Sequence, residues 1–401
     1  MPAPDLPIGD RIRHHRTHAG RRQDVIAGLV GITPDYLGQI ERGLKIPTIP
    51  VLHAIAGELG VPIAALLADS PPPAATTRDK TEPAIARALM GYGPPRSAPP
   101  AQPHVLRDRV EQAWRIWQTS PTRFTEAAAV LPDLIADTEH AARAHRSDAE
   151  TADRRDTLRV AADLYFLLRS YLRRTGRTDL SLIAADRAVR AAEDADDPLR
   201  IAAAQWNLGH ILLASDEPDG AEEVATRATA GLAAAIGMGD PDSTAMTGSL
   251  RLVTAVAAAR RRNWWDARAH LTEADKLAAR TGDGNVMWTV WGPTNVELHR
   301  VSIEMEAGEA SEALRMADRI DTSVLPSRER EFTFGLEVAR CHDLRREDAS
   351  VLLQLLELEQ MAPEDLARQA AARDILLGLI RRSRAMHARQ AEALAGRLGI
   401  L

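Results

Sequence analysis

The stretch from Gln23 to Gly43 constrains this chain more than any other, because its punctuation admits one local structure. Gln23 to Val30 reads as a short helix. Gly31 ends it, since glycine enters the left-handed region without strain. Ile32 then turns inward, Thr33 supplies a capping hydroxyl, and Pro34 takes the first helical position, where a missing N–H costs nothing. Tyr36, Leu37 and Ile40 follow at helical spacing and Gly43 stops the second helix. Two helices of this size cannot bury a core alone, so flanking helices must complete a small bundle.

The flanks are present. Residues 8 to 19 form a first helix with Ile8 and Ile12 inward and Arg11, His14, His15 and His18 outward. His14 and His18 have the spacing of two metal ligands on one helical face. No third ligand is nearby, and a helix end lying against phosphates explains them as well. After a loop through Pro47, apolar residues at 51, 52, 55, 59, 63, 66 and 67 supply two further helices. The expectation is a five-helix bundle over residues 1–69.

On these residues the segment Ile8 to Leu67 resembles the phage-repressor and xenobiotic-response-element type of helix-turn-helix domain. The resemblance rests on Gln23 opening the second helix, Ala27 and Val30 beneath the third, Glu41-Arg42-Gly43, Pro47-Thr48 and Leu59-Gly60-Val61. It covers about 60 residues of 401. It implies double-stranded DNA as partner, and a buried pair between Arg16 and Glu41. With the third helix entering the major groove N-terminus first, Thr33, Pro34, Asp35 and Gln39, with Tyr36 beside them, meet the base edges. Gln39 suits adenine, Asp35 a cytosine amino group, and Pro34 a thymine methyl. Gln23 is expected at a phosphate, and Arg42, Lys45 and Thr48 along the backbone. The reading face has no arginine, which disfavours a G-dominated site.

Charge sets the strength of that contact. The whole chain carries −6, yet residues 8 to 50 hold seven Arg/Lys against four Asp/Glu. So modest a footprint predicts a homodimer or specific base contacts, not binding by charge alone.

From Ser70 to Pro103 the composition changes, with nine prolines between Pro71 and Pro103. Such a segment cannot bury enough apolar surface to offset its ordering entropy, so residues 70–104 read as a linker. Within it, the apolar spacing of Pro83 to Tyr92 allows a short docked helix.

From Val105 to the C-terminus the pattern is helix after helix, alanine-rich and poor in aromatics, which favours close-packed helices over sheets. The chain is therefore expected to be all-α. Residues 204–228 resemble a tetratricopeptide repeat, with Leu208 and Gly209 interior and Ala221 and Ala228 at the small positions. The pattern recurs at Ala267 and Ala274 behind Asn263-Trp264-Trp265-Asp266, and loosely at Ser181 and Ala188, Ala313 and Ile320, and Ala349 and Leu356. The clear copies are 46 residues apart, which makes the array degenerate. Residues 105–145 suit a leading pair and 371–398 capping helices.

Stacked pairs form a solenoid whose concave face is lined by first helices. The Leu208-Gly209 register puts Phe166, Trp206, Asn207, His210, Arg260, Asn295, His299 and Ser302 there. Trp206, Asn207, His210, Asn295 and His299 are the candidate ligand residues, the two asparagines suited to an extended peptide backbone. The competing reading has Trp206, Trp288 and Trp291 filling the core.

No phosphate loop, nucleophile elbow, zinc-type helix or cysteine cluster appears, and no cofactor is implied. Cys341 beside His342 lacks the geometry of a thiolate pair, because adjacent helical residues do not face each other. A single cysteine fits a reducing cytoplasm, and no stretch is long and apolar enough to span a membrane. The favoured function is a transcriptional regulator whose repeat domain senses a peptide or small ligand. The alternatives are a repeat domain serving as an interaction or dimerisation scaffold, and an enzyme tethered to DNA.

Overall fold

The computed structural model describes residues 8–61, 63, 66, 82–92, 99–145 and 152–401. Apart from two 3₁₀ turns, every regular element among them is an α-helix, and they fall into two units, Met1–Arg78 and Asp79–Leu401.

The first unit contains α1 (Ile8–His18), α2 (Gln23–Val30), α3 (Pro34–Glu41) and α4 (Ile49–Leu59). Of the expected fifth helix, Ile63 and Leu66 are described, both helical. Leu66 joins Ile12, Ile26, Ala27, Leu37, Ile40, Leu52, Ile55 and Ala56 in the core. The turn forms as its residues dictate. Gly31 has φ 74° and its N–H meets the Ala27 and Gly28 carbonyls, while the Thr33 hydroxyl accepts from the Tyr36 N–H at 3.1 Å. Gly9 lets α1 press against α3, since a Cβ there would lie 2.1 Å from the Ile40 carbonyl oxygen. Arg11, expected outward, is buried. Helix α1 packs on both α3 and α4, so its covered face is wider than the Ile8–Ile12 stripe.

The second unit opens with α5 (Glu82–Met90), inside the segment read as linker. Its Ile85 and Leu89 are fully buried and it packs on α7, so the docked-helix alternative describes this stretch. Seven helix pairs follow. They are Pro103–Thr119 with Arg123–Ala144 (α6, α7), Ala152–Arg174 with Thr178–Asp194 (α8, α9) and Pro198–Ala214 with Pro218–Gly231 (α10, α11). After the short Ala233–Gly237 (α12) come Pro241–Arg260 with Trp264–Thr281 (α13, α14) and Pro293–Glu306 with Ala310–Ala317 (α15, α16). Then come Arg328–Leu344 with Asp348–Met361 (α17, α18), the short Pro363–Arg368 (α19), and Ala370–Arg382 with Ala385–Arg397 (α20, α21). From α6 to α20, each first helix packs on the first helix of the next pair.

Five of the pairs share one turn. Gly176, Asp216, Arg262, Gly308 and Arg346 each sit two residues past a first helix with φ between 59° and 91°. The next residue's N–H returns to a carbonyl of the helix's last turn: Arg177 to Leu172, Glu217 to Leu212, Asn263 to Ala258, Glu309 to Glu304 and Glu347 to His342, all between 2.8 and 3.0 Å. This is the Schellman closure. The small positions are sealed where expected, with Ser181, Ala188, Ala221, Ala267, Ala274 and Ala313 fully buried. At α18 the register differs: Ala349 is exposed and Leu356 half-buried, while Val351 and Leu358, also seven apart, are in the core.

The array also meets itself. Helix α17 touches α6, and Arg123 at the start of α7 forms a buried ion pair with Asp365 of α19, its Nε donating at 2.9 Å. The Phe124 N–H donates to Glu364 at 2.8 Å, and Arg328 donates to the carbonyls of Thr119 and Met361 at 2.9 and 3.0 Å.

Candidate functional site

In the first unit, Thr33, Pro34 and Asp35 are exposed at the start of α3, with Tyr36 and Gln39 half-buried behind them. Leu37 and Ile40 face the core, so one face of α3 anchors the helix and the other is open. Gln39 donates to Asp35 at 2.7 Å, which ties the two base-reading candidates together one helical turn apart. Arg42, Lys45 and Thr48 lie exposed beyond the helix, with the Lys45 ammonium 5.6 Å from the Tyr36 ring centre. Beneath them, Arg16 grips Glu41 with both arms, Nε to Oε1 at 2.6 Å and Nη2 to Oε2 at 2.9 Å. The hydrogen bond to Glu41 raises the Arg16 pKa. Gln23, expected at a phosphate, turns inward and donates to Glu41 Oε2 at 2.9 Å. The buried Glu41 carboxylate still has lone pairs to offer beside Arg16, and it accepts from the amide at that helix start. His14 is exposed and edge-on to His15, and the side chain of His18 lies outside the described ones.

The second unit holds a cavity of about 230 Å³ on the side where its first helices converge. Trp206, His210, Asn295 and His299 line it, as the repeat register predicts. Asn207, Phe166, Arg260 and Ser302 do not: Asn207 and Phe166 are buried in the packing, Arg260 is exposed, and Ser302 bonds Glu337 at 3.0 Å. The asparagines also differ from the expectation of a peptide ladder. Asn207 Oδ1 accepts from Arg169 at 2.8 Å and its amide donates to the Ala203 carbonyl at 2.8 Å, while Asn295 Oδ1 accepts from Arg330 at 2.6 Å. Both hold arginines in place.

Those arginines are what the sequence reading missed. Arg169, Arg173, Arg174 and Arg330 line the cavity with a single carboxylate, Glu329. The signal lies in α8, where every residue from Val160 to Leu172 is buried. A helix covered on all sides buries whatever charge it carries. Burial, with the Arg173 charge beside it, pulls Arg169 down to about 9, and burial likewise lowers Arg173, Arg174 and Arg330. Burial and then the Arg330 guanidinium push His299 down to about 3, so the imidazole is neutral. His210 is driven the same way by burial and by Arg169.

Aromatic surface completes the wall. Trp114 and Trp288 stack at 4.7 Å with planes 4° apart. Trp288 belongs to a loop in which Met287, Trp288 and Val290 all have positive φ. That loop is held by Asn285 donating to Gln118 at 2.8 Å and by Trp291, whose ring lies where a Cβ on Gly248 would come within 2.1 Å of it. Trp291 is thus core filler, whereas Trp206 and Trp288 face the cavity. Among the described residues no group of three His, Cys, Asp or Glu could hold a metal. Cys341 is buried, its thiol pushed up to about 11, and His342 turns away to Glu347 at 2.6 Å. No described helix is long and apolar enough to cross a membrane.

Residues 7–68 match the family described as a helix-turn-helix domain. No curated protein matches. Among solved structures, the chain is similar to PlcR of Bacillus thuringiensis in complex with the peptide PapR7 and DNA. The identity is 11% over 85% of this chain and 98% of that one, with a TM-score of 0.31. It is also similar to the apo form of the competence regulator ComR from Streptococcus vestibularis (15%, 76% and 97%, TM-score 0.27). ComR from Streptococcus suis follows (13%, 66% and 96%, TM-score 0.23). At these scores the grounds for a function lie in the chain's own residues and in the N-terminal domain match.

Proposed function

We propose that the chain is a sequence-specific DNA-binding transcriptional regulator whose helical-repeat unit senses a ligand. The observation that carries the proposal is the pairing, in one chain, of a helix-turn-helix domain with an open α3 face and a repeat unit that keeps a polar, aromatic-walled cavity where close packing would otherwise fill the space. Interiors are packed to crystal-like density, so a cavity lined by arginines and tryptophans is a binding site before it is a packing fault.

The reading residues are Asp35 and Gln39, with Thr33, Pro34 and Tyr36 around them and Arg42, Lys45 and Thr48 on phosphates. Since Gln39 and Asp35 are bonded to each other, docking trades that bond for bonds to bases, and each residue's preference depends on the other. A local excess of three positive charges makes one domain a weak binder, so two copies bind a two-fold site with half-sites roughly 34 Å apart or a multiple of it. Selection of bound duplexes from random sequence, followed by titration, tests this. Gln39→Ala loses about 1–3 kcal/mol at one base pair in each half-site, whereas Arg42→Ala weakens all sequences alike. Equal losses for Gln39→Ala on selected and random DNA would exclude a reading role.

A further inference from the structure

We infer that the cavity of the repeat unit takes a small organic anion, an acidic group on an aromatic or apolar body, with Arg173 and Arg174 meeting the acid. The inference rests on the ligand-sensing reading above and names the chemistry of that same site.

Charge is the first ground. The cavity wall contains four guanidinium groups and one carboxylate, and that carboxylate is already engaged: Glu329 accepts from Arg123 at 2.8 Å and from Arg174. Arg169 and Arg330 are braced by the neutral side chains of Asn207 and Asn295, and Arg330 also feels the buried Glu337 carboxylate behind the cavity wall. The Nε atoms of Arg173 and Arg174 are buried and meet no acceptor. Arginine does not escape by losing its proton, and a buried cation is retained where a counter-charge arrives. The neutral imidazoles of His210 and His299 supply none. A planar fork of N–H groups suits a carboxylate, sulfonate or phosphate oxygen pair.

Shape and size are the second ground. The parallel rings of Trp114 and Trp288, with Trp206, Leu252 and Val290, offer a flat apolar wall beside the arginines. At about 230 Å³ the space lies just below the usual range for drug-sized ligands, roughly 300–1,000 Å³, and suits a small molecule. Of the two asparagines suited to a peptide backbone, Asn207 lies outside the cavity with its carboxamide committed to Arg169 and the Ala203 carbonyl, and the Asn295 oxygen is taken by Arg330.

The test uses the full chain and matched pairs of probes: benzoate against benzamide, and indoleacetate against indoleacetamide, each pair alike in shape and different in charge. A tetrapeptide of apolar residues is added with its C-terminus free and amidated. By calorimetry, at least one acid binds tenfold or more tighter than its amide. Arg173→Met erases that preference, and Arg173→Lys, which keeps the charge, retains part of it. In ligand-free buffer Arg173→Met melts no lower than the parent chain, because it removes a cation whose buried Nε meets no acceptor, so a lost preference cannot be ascribed to unfolding. Equal binding of acid and amide, binding of neither acid, or a preference that survives Arg173→Met with Arg174→Met would overturn the anion site. A free-terminus peptide that outbinds both acids would replace the small anion with a peptide. A bound acid that leaves DNA affinity unchanged would sink the sensing function while the anion site stands.

Discussion

Glu41 is the residue on which the first unit's geometry depends. It is 5% exposed, it receives both arms of Arg16 and the amide of Gln23, and it closes the helix whose other face is open. Removing it leaves the half-buried Arg16 guanidinium with the Arg21 carbonyl alone, at a cost approaching the figure for a fully buried pair, about 3–5 kcal/mol. A domain of this size has little more than that in total. Glu41→Ala therefore unfolds the first unit or lowers its urea midpoint severely, while Gln23→Ala, which removes one neutral donor, costs about 1 kcal/mol. A wild-type midpoint for Glu41→Ala would mean that the pair is not buried in solution. The pair is legible in the sequence through the family resemblance, but the third partner is not: nothing in the order of residues says that Gln23 turns inward. In the second unit, His299 makes stability depend on pH. Its folded pKa is depressed to about 3 from the usual 6.5, so the unfolded chain takes up a proton first. This contribution is complete above pH 6.5 and drains as pH falls toward 3, at about 1.4 kcal/mol per pH unit. His210 is depressed as well and adds to the slope. Urea midpoints between pH 6 and 5 should therefore fall less steeply in His299→Gln than in the parent, and identical slopes would mean the imidazole is charged in the folded state.

At the scale of elements, the repeat is carried by the turn within each pair more faithfully than by the helices. Five turns close with the same backbone bond, yet only Gly176 and Gly308 show the glycine that marks a left-handed position. Asp216, Arg262 and Arg346 adopt it with ordinary side chains. A pattern search for glycine sees two turns out of five, which is why the array looks degenerate in sequence while its turns are regular. The drift in spacing comes from the connections between pairs, which range from the three residues Ala195 to Asp197 to the eleven-residue segment 282–292. The misplaced register at α18 has the same origin: counting from a variable connection slips by two residues, and the small-residue rule cannot correct it where valine and leucine fill the seam. Since Gly308 sits at φ 91°, Gly308→Val forces a β-branched residue into the left-handed region and costs about 1–2 kcal/mol. Asp216→Gly relieves strain while loosening the unfolded chain, so it changes stability by less than about 1 kcal/mol. Urea denaturation of the two variants separates these cases. A harmless Gly308→Val would mean the left-handed turn is not what closes the two helices of a pair.

For the whole second unit, the consequential contact joins its beginning to a place near its end. Arrays of this kind ordinarily contact only nearest neighbours, and their parts can unfold separately. Here Arg123 and Asp365, separated by most of the unit, are 1% and 2% exposed and bonded to each other, with Arg368 stacked over the Phe124 ring at 4.5 Å. Sequence periodicity identifies repeats but says nothing of where their ends meet, since curvature accumulates from small rotations at each pair. That is also why the arginine-lined cavity was not legible: its members come from α6, α8, α10, α13, α15 and α17 and from the 282–292 loop, and the closure brings Glu329 within reach of Arg123 and Arg174. The pair tests whether closure makes the unit one cooperative body. Arg123→Met leaves Asp365 buried and unpaired and costs about 3–5 kcal/mol, whereas Arg123→Met with Asp365→Leu replaces both charges by apolar groups and restores most of the loss. If closure couples the two ends, the single variant also broadens the urea transition or splits it in two, because the last pairs then melt without the first. The double variant returns to one transition. A single variant that loses stability but keeps one sharp transition would show that the neighbouring-pair contacts alone hold the unit together, and that Arg123 and Asp365 only fix where its ends lie.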